Sequence, residues 1–257
     1  MPRFEQPPNQ LNILLMGSDQ RLNDGGFRTD ALLLVTINFD LNTVNLTSFP
    51  RDLYVYLPGR TMDRINTAQF KGGFNLTAKT FEHNFGVRPD HYALIKFDGF
   101  MNLINTLGGI NVQVAHQLTD QRDGYGNYTV NPGLVHMDGE TALWYARARY
   151  TTSDFDRIKR HQEVLQAIFF RLLNFDLIKK IPELFEQFQY TIQTDMSLED
   201  LLELTKLARI IAEGDRINHY VIDRQHVTPW WTYSGAEVQL PNREAIQDIM
   251  KDALNIQ

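Results

Sequence analysis

Short apolar runs separated by polar turns dominate the first half of the chain. Residues 11–16 form one such run, ending at Gly17-Ser18-Asp19, and predict a buried strand that enters a loop. Residues 31–39 and 43–49 flank Asp40-Leu41-Asn42, which has turn chemistry, so they predict a hairpin. A helix, a strand, a second helix and a further strand are then predicted, at residues 76–85, 91–97, 99–107 and 110–114.

The second half has mainly the 3.6-residue spacing of amphipathic helices. It predicts helices over residues 155–173, 177–188 and 198–212, a late strand over 217–222 and a closing helix over 243–254. No repeat, low-complexity tract or linker divides the chain. Because helices and strands alternate and a hairpin is included, we predict an α/β protein, specifically a single-domain α/β/α sandwich with a central mixed sheet.

Composition excludes several classes of protein. The 257 residues are 43% apolar and 22% charged, which is typical of a globular domain. The chain has no Cys, so it has no disulfide framework, zinc ribbon, iron–sulfur cluster or Cys nucleophile. A net charge of -6 argues against nucleic acid as a partner, because proteins that bind the phosphate backbone usually carry a basic surface.

The basic residues are biased towards Arg. The chain has 17 Arg and 8 Lys, and the segment from Thr141 to Arg160 holds four Arg and one Lys against two Asp, a local charge of +3. Arg binds phosphate and carboxylate groups in a bidentate manner, which Lys cannot do. The alternative is a solvated surface patch that reflects only a compositional bias.

Two acidic residues lie where the first two predicted strands meet loops. Asp19 follows Ser18, and Asp30 follows Thr29. If the two strands are neighbours in the sheet, both carboxylates converge on one point, and two hard carboxylates beside a phosphate are what Mg²⁺ usually takes from a protein. The alternative is that both residues form turns or caps, which loops rich in Gly and Asn favour.

Arg51 leaves the predicted hairpin at its edge. It follows Pro50, which cannot donate to a strand ladder, and it precedes Asp52, with Arg64 soon after. A guanidinium at this place could bind an oxyanion. The pattern alone does not bring Arg51 near Asp30, and the alternative is a surface ion pair between Arg51 and Asp52.

A charged stripe faces the core in the helix predicted after residue 154. At about 100° per residue, Arg157 and His161 share a stripe with the apolar Val164 and Ile168. A buried Arg needs an anionic partner, because an unpaired charge in the interior is strongly destabilising.

Two further Arg residues lie upstream of that helix. If the segment that holds Arg147 and Arg149 is extended, both side chains point the same way. Together with Arg157 they would form a clamp for an oxyanion or a diphosphate. The alternative is an internal ion-pair network with Asp154 and Asp156.

Taken together, these motifs resemble the LytR-CpsA-Psr family. They follow the family's order between about residues 12 and 173, and the ordered set is far more specific than any one piece. The matching segments are Gly17-Ser18-Asp19, Arg28-Thr29-Asp30, Ser48-Phe49-Pro50-Arg51-Asp52, Arg64-Ile65-Asn66, Gly72-Gly73, Leu107-Gly108-Gly109-Ile110-Asn111-Val112, Gly139-Glu140-Thr141-Ala142-Leu143, Arg147-Ala148-Arg149, and Asp154-Phe155-Asp156-Arg157 with Arg160.

The resemblance implies an extracytoplasmic phosphotransferase held by an N-terminal membrane helix. Such an enzyme moves a glycopolymer phosphate, such as teichoic acid or capsular polysaccharide, from a polyprenyl-diphosphate carrier to peptidoglycan. Residues 1–10 would then be a remnant after a removed anchor, and residues 11–257 one domain with core motifs at 12–173 and a helical part at 174–257. The alternatives are a polyprenyl-diphosphate hydrolase and a non-catalytic binder of anionic polyprenyl lipids.

The resemblance also assigns roles to residues. Asp19 and Asp30 would hold Mg²⁺ or Mn²⁺, and either could instead be the catalytic base. Phe169 and Leu172 are candidates to line an apolar lipid tunnel. The diphosphate oxygens would be bound by Arg28, Arg51, Arg64, Arg147, Arg149 and Arg157, with Arg51 and Arg149 also placed among the catalytic residues.

One position departs from the family pattern. His161 replaces the Gln that usually follows the second Arg of the segment Arg157 to Arg160. Imidazole can still hydrogen-bond a phosphate, and it adds charge when protonated. We therefore expect His161 to keep the role of a substrate contact, with an altered preference for the head group or an altered pH dependence.

Overall fold

The computed structural model describes residues 3–18, 28–149, 151–172, 181–189, 191–212 and 216–256. The chain forms two compact units. The first comprises Met1–Leu94, Gln193–Met196 and Gly214–Gln257, and the second comprises Ile95–Ile192 and Ser197–Glu213. The single domain that the sequence predicts stays a prediction.

The first unit is built on a six-stranded sheet. Its strand order is β11-β6-β1-β2-β3-β12, with β1 (Gln10–Ser18), β2 (Thr29–Asn38), β3 (Thr43–Phe49), β6 (His91–Lys96), β11 (Ile192–Thr194) and β12 (Ile217–Val221). The β1–β2 and β2–β3 pairs are antiparallel, whereas β3–β12 is parallel. The predicted α/β class with a central mixed sheet is confirmed, and so is the predicted hairpin.

Two small sheets and two helices complete the first unit. They are the pair β4 (Tyr54–Tyr56) and β5 (Met62–Arg64), the pair β13 (Val227–Trp231) and β14 (Glu237–Pro241), and the helices α1 (Ala68–Phe85) and α7 (Arg243–Ala253), with a 3₁₀ turn at Ile65–Thr67. The rings of Phe49, Phe81 and Phe85 pack together beneath the sheet's β3 strand, and all three are almost fully buried.

Buried amides fix the closing helix to the sheet. The side chain of Gln10 donates to the carbonyl of Leu254 at 2.8 Å, and that of Asn45 donates to the carbonyl of Ala253 at 2.7 Å. The last carbonyl groups of a helix have no partner within it, so these two amides act as its C-terminal cap.

A double glycine bends α1 near its start. Gly72 and Gly73 have non-helical dihedral angles, and Gly73 has a φ of 62°. This left-handed region is open to Gly and strained for most other residues. The Gly72-Gly73 motif therefore has a structural explanation. The helix ends at Gly86, as the sequence predicts, with a φ of 76°.

The second unit combines helices with two antiparallel two-stranded sheets. Its elements are α2 (Phe97–Thr106), β7 (Ile110–Val114), β8 (Leu118–Arg122), β9 (Gly126–Val130), β10 (Gly133–Met137), α3 (Gly139–Arg147), α4 (Asp154–Leu172), α5 (Ile181–Phe188) and α6 (Leu198–Ala212). The two sheets are β7–β10 and the hairpin β8–β9. A side chain at Gly139 would clash with the main chain of Met101, so α3 can pack closely against α2 only because this residue is Gly.

Every helix and strand predicted from periodicity is found, with ends that shift by a few residues or, for α1, by eight at its start. The predicted helix over 177–188 is seen from Ile181, because residues 173–180 lie outside the described residues. Several elements were not predicted, and α3 is the most important of them for the site. No helix in the described part of the chain is long and apolar enough to cross a membrane.

Candidate functional site

The hairpin register brings Arg51 to Asp30. Leu32 is paired with Phe49 in the antiparallel β2–β3 ladder, and continuing that register by two residues sets Asp30 opposite Arg51. The Nη1 atom of Arg51 lies 2.5 Å from the Oδ1 atom of Asp30. The structure thus joins two residues that the sequence motifs left apart.

Asp52 connects two Arg side chains. Its Oδ2 atom lies 3.4 Å from the Nε atom of Arg51, and its Oδ1 atom lies 3.2 Å from the Nη1 atom of Arg64. The surface pair of Arg51 with Asp52 is therefore present, but as one part of a larger network. Asp30, Arg51, Asp52 and Arg64 form what we call the Arg–Asp network.

The small β4–β5 sheet sets the position of Arg64. Tyr54 is paired with Arg64 across this sheet, and the amide of Ile65 donates to the carbonyl of Leu53 at 2.8 Å. The β4–β5 pairing thus brings Arg64 back beside Asp52, although the two residues are twelve positions apart in the chain. This pairing depends on a three-residue strand, which is too short to be read from periodicity alone.

The Arg–Asp network is half-buried. The exposed fractions of its four side chains lie between 22% and 28%. The ion pairs hold both guanidinium groups in fixed places while leaving part of each at the surface. The network is neutral overall, with two Arg against two Asp, but its preorganised guanidinium groups present N–H donors that suit an oxyanion, because little reorganisation is needed when the anion arrives.

A second ion pair lies beside the network and was not singled out from sequence. Lys71 in α1 contacts the carboxylate of Asp63 in β5. Partial burial raises the pKa of Asp63, but the hydrogen bonds from Lys71 and from the amide of Arg64 outweigh it, so this pKa is lowered overall. Asp63 therefore stays ionised and fixes the main chain at Arg64.

Two predicted residues of the first unit remain, Arg28 and Asp19. Arg28 is exposed and precedes β2, two positions before Asp30. Asp19 lies outside the described residues. Within the described ranges, no group of three His, Cys, Asp or Glu side chains could hold a metal ion. Asp30 is a hard carboxylate of the kind that Mg²⁺ takes from proteins, often only one or two at a site.

The segment holding Arg147 and Arg149 is extended only at its end, because α3 runs as far as Arg147 and Ala148 then has a φ of -52° and a ψ of 130°. Residues up to Arg147 belong to α3, which begins after Asp138, whose side chain accepts a 2.8 Å hydrogen bond from the amide of Thr141. This N-cap and a buried face over Ala142 and Tyr145 stabilise a helix instead.

The two Arg residues at the end of α3 are nevertheless both exposed, on either side of the buried Ala148. The guanidinium carbon of Arg147 lies 4.4 Å from the ring centroid of Phe97, a cation–π contact that orients it. No shared site with Arg157 follows from these positions.

The predicted core-facing stripe of α4 is confirmed. Arg157 is 7% exposed and Val164 is 3% exposed, while His161 and Ile168 are partly buried. Arg160, which the sequence analysis assigned only to the family motif, is 6% exposed. Two guanidinium groups are thus buried within one turn of this helix.

Arg160 and His161 bind the end of α3. Arg160 donates from Nε to the carbonyl of Tyr145 at 2.9 Å and from Nη2 to the carbonyl of Ala148. The Nε2 atom of His161 lies 3.0 Å from the carbonyl oxygen of Ala146, so it must carry the proton of that hydrogen bond. These bonds satisfy carbonyl groups that a helix end leaves without a partner. Burial lowers the pKa of Arg160.

Of the two predicted ion-pair partners of Arg157, Asp154 has a side chain outside the described residues, and Asp156 is held by Ser153. The carboxylate of Asp156 accepts hydrogen bonds from Ser153, at 3.0 Å from its amide and 2.7 Å from its hydroxyl, and the amide of Asp156 donates to the hydroxyl of Ser153. This is a capping box that begins α4. The hydrogen bonds from Ser153 also lower the pKa of Asp156.

The predicted lipid tunnel stays a prediction. Phe169 and Leu172 are partly buried on α4, and the ring centroids of Phe169 and Phe170 lie 6.2 Å apart.

Comparison with known proteins identifies the family. The model of the LytR_cpsA_psr family matches residues 3–253. A polyisoprenyl-teichoic acid–peptidoglycan teichoic acid transferase TagU of Bacillus subtilis (strain 168) is 31% identical over 196 residues, which are 75% of this chain and 62% of that protein. The chain thus spans about three fifths of the length of such curated relatives.

Solved structures match this chain over a larger share of its length than the curated sequences do. The crystal structure of Bacillus subtilis TagV has a TM-score of 0.81 and 27% identity, covering 98% of this chain and 99% of that one. A structure of TagT bound to LIIa-WTA has a TM-score of 0.80 and 26% identity, covering 99% and 93%. With a family model that matches almost from end to end, the chain belongs to the LytR_cpsA_psr family.

Proposed function

We propose that this chain is a phosphotransferase, which moves a glycopolymer phosphate from a polyprenyl-diphosphate carrier to peptidoglycan or a related cell-wall acceptor. The relatives' names support this reaction class. The observation that carries the proposal is the Arg–Asp network, in which Arg51 and Arg64 are held at the surface by Asp30 and Asp52. Two fixed guanidinium groups match the paired phosphates of a diphosphate.

The proposed chemistry needs little covalent help from the protein. An acceptor sugar hydroxyl attacks the phosphorus that bears the glycan, a new P–O bond forms, and the bond to polyprenyl phosphate breaks. Arg51 and Arg64 neutralise the negative charge of the diphosphate oxygens as polyprenyl phosphate leaves, and positioning with charge neutralisation supplies most of the rate.

Other basic residues are also proposed to bind the diphosphate. Arg28 is exposed close to Asp30 along the chain and suits the same role. Diphosphate binding also remains proposed for Arg147, Arg149, Arg157 and His161. Arg157 is buried, and His161 is hydrogen-bonded to a main-chain carbonyl. We therefore propose that the exposed Arg147 and Arg149 contact the diphosphate directly.

The proposed metal is Mg²⁺ or Mn²⁺, held by Asp30 and Asp19. A single described carboxylate fits this ion, whose other ligands are usually water and substrate phosphate oxygens. When bound, the ion would offset charge on the diphosphate. The proton of the attacking hydroxyl passes to solvent or to Asp30. If Asp30 is a metal ligand, excess Mg²⁺ should partly restore Asp30→Asn.

The proposed setting follows from the same relatives. The acceptor and the lipid carrier imply the extracytoplasmic face of the cell membrane, with a membrane anchor in the full-length protein. A nucleic-acid partner does not fit a net charge of -6.

The test is a transfer assay with a polyprenyl-diphosphate-linked glycan and peptidoglycan fragments. Arg51→Ala should reduce transfer at least about 100-fold, in the range found for the loss of one charge-stabilising group, while its far-UV circular dichroism stays unchanged. Arg88→Ala is the matched control, because Arg88 pairs with Glu82 at 3.3 Å outside the network.

Three results would contradict the proposal. A folded Arg51→Ala protein that transfers at the normal rate would remove the network from the reaction. Release of the glycan phosphate to water at a rate unaffected by peptidoglycan fragments would assign a hydrolase instead, and binding without any turnover would assign a lipid binder.

A further inference from the structure

Four aromatic side chains gather on the β13–β14 hairpin and the strand beside it. Trp230, Trp231 and Tyr233 are 36%, 63% and 106% exposed, and the ring of Tyr54 in β4 lies 5.8 Å from that of Trp230. We call these four residues the aromatic surface. So much exposed ring area within four consecutive residues is unfavourable in water and marks an interaction site.

The hairpin holds these rings in place. Trp230 contacts Tyr54 on one side and Tyr233 on the other, with the latter ring centroid 6.5 Å away. The turn that carries Tyr233 is closed by hydrogen bonds between Thr232 and Ala236 and between Gly235 and Thr232, each at 2.9 Å. A partner would therefore meet a turn whose backbone is already ordered, which lowers the free-energy cost of binding.

The aromatic surface is attached to the Arg–Asp network. The amide of Gln239 in β14 donates to the carbonyl of Asp52 at 2.9 Å, and Leu53 forms a bridge with Gln239. Tyr54 follows Asp52 by two residues, about 7 Å along an extended chain. It is also the strand partner of Arg64. The hairpin that carries the rings is therefore bonded directly to the segment that carries the network.

The chemistry of the hairpin favours a carbohydrate. From Val227 to Pro241 its single charged residue is Glu237, and Thr and Ser side chains lie between the aromatic ones. Trp and Tyr offer a ring face together with a polar N–H or O–H group, which suits the C–H faces and hydroxyl groups of a pyranose ring. The hairpin itself has no Lys or Arg to attract an anionic lipid surface, and Glu237 would repel one.

We propose that the aromatic surface binds an uncharged stretch of the acceptor glycan and thereby delivers its hydroxyl to the Arg–Asp network. This inference rests on the proposed function, for which it names the acceptor-binding surface. Trp231 and Tyr233, the two most exposed of the four, provide the stacking faces, whereas Trp230 contacts both Tyr54 and Tyr233.

The test is direct binding of chitotetraose, an uncharged β-1,4-linked N-acetylglucosamine tetramer, measured by isothermal titration calorimetry. Wild type should bind it, and Trp231→Ala and Tyr233→Ala should each weaken binding at least tenfold. Both residues are exposed, so neither change should alter the fold. Tyr125→Ala is the matched control, because Tyr125 is 61% exposed but belongs to the β8–β9 hairpin; its affinity should equal that of wild type.

A second arm uses vesicles of phosphatidylglycerol and phosphatidylethanolamine. Absence of tetramer binding in wild type, or equal binding by wild type and Trp231→Ala, would overturn the inference. Vesicle binding that Trp231→Ala abolishes, without tetramer binding, would overturn it in favour of a membrane contact.

A transfer assay separates this inference from the proposed function. Trp231→Ala should raise the KM for peptidoglycan fragments at least tenfold with kcat unchanged. If wild type transfers nothing, the proposed function fails, whereas tetramer binding that depends on Trp231 would still support the aromatic surface as a glycan site.

Discussion

In the first unit the guanidinium groups of Arg51 and Arg64 are held by carboxylates, whereas in the second unit that of Arg160 is held by main-chain carbonyl groups. The first two side chains are 22% and 26% exposed, while Arg160 is 6% exposed as a residue. The same residue type thus forms replaceable ion pairs at one place and a buried helix cap at the other.

This difference separates residues for binding from residues for folding. Partly exposed ion pairs contribute little to stability, and their cations can bind a phosphate in addition to the carboxylates. A buried carbonyl that loses its donor is costly, because it has left water without replacing that hydrogen bond. We therefore expect changes in the network to reduce activity and changes at Arg160 to reduce stability.

The largest effect on stability is expected for Arg160→Ala. It removes the donors to the carbonyls of Tyr145 and Ala148. Each buried carbonyl left without a hydrogen bond costs roughly 1–3 kcal/mol of stability. The free energy of unfolding should therefore fall by roughly 2–6 kcal/mol in urea denaturation. The exposed Arg149→Ala should stay within about 0.5 kcal/mol of wild type. Equal stabilities for the two variants would break the comparison.

An intermediate effect is expected for Asp52→Asn. Asp52 orients both Arg51 and Arg64, so an amide in its place should lower transfer roughly 10- to 100-fold, since small misplacements of binding groups have effects of this size. Stability should change by no more than about 1 kcal/mol.

Glu82→Gln is the matched control for Asp52→Asn. Glu82 also bridges two Arg residues, Arg3 at 3.1 Å and Arg88 at 3.3 Å, and its side chain is similarly exposed at 27%. Its transfer rate should equal that of wild type. A transfer rate for Asp52→Asn as high as that of Glu82→Gln would show that the bridge within the network has no functional meaning.

The smallest effect concerns the cap of α3. The hydrogen bonds from Thr141 lower the pKa of Asp138 below 3.8. A lowered folded-state pKa stabilises the protein above the unfolded-state pKa, and that contribution is lost as the pH falls through the folded-state value. Asp138→Ala should thus reduce stability by about 1 kcal/mol at pH 7.

Asp138→Asn keeps a capping oxygen but does not titrate. Its stability relative to wild type should therefore improve as the pH is lowered below about 4. Thermal unfolding of the three proteins between pH 7 and pH 3 checks this. A constant difference between wild type and Asp138→Asn across that range would contradict the role of the charged cap.

Most of the fold could be predicted from sequence because its strands and helices carry clear periodicities. The pairing of Arg51 with Asp30 was also within reach. A hairpin that pairs residue 38 with residue 43 sets residue 30 opposite residue 51, so counting the register would have found it. The helix α3 had a signal as well, since Asp138 and Glu140 before an apolar face are typical of a helix start.

Other features depend on contacts that are distant in sequence. The approach of Arg64 to Asp52 requires two three-residue strands to pair, and the link from Gln239 to Asp52 joins residues far apart in the chain. Short strands carry too few positions to show alternation. The burial of Arg160 was hidden for another reason, because its partners are main-chain carbonyls, which no residue type reveals.

The central claim is that the Arg–Asp network binds the diphosphate of the donor. Its most direct test is the equilibrium affinity of wild type, Arg51→Ala and Arg88→Ala for geranylgeranyl diphosphate, a soluble prenyl diphosphate, at one fixed ionic strength. We predict that Arg51→Ala binds at least tenfold more weakly, while Arg88→Ala binds like wild type. Equal affinities for wild type and a folded Arg51→Ala protein would contradict the claim.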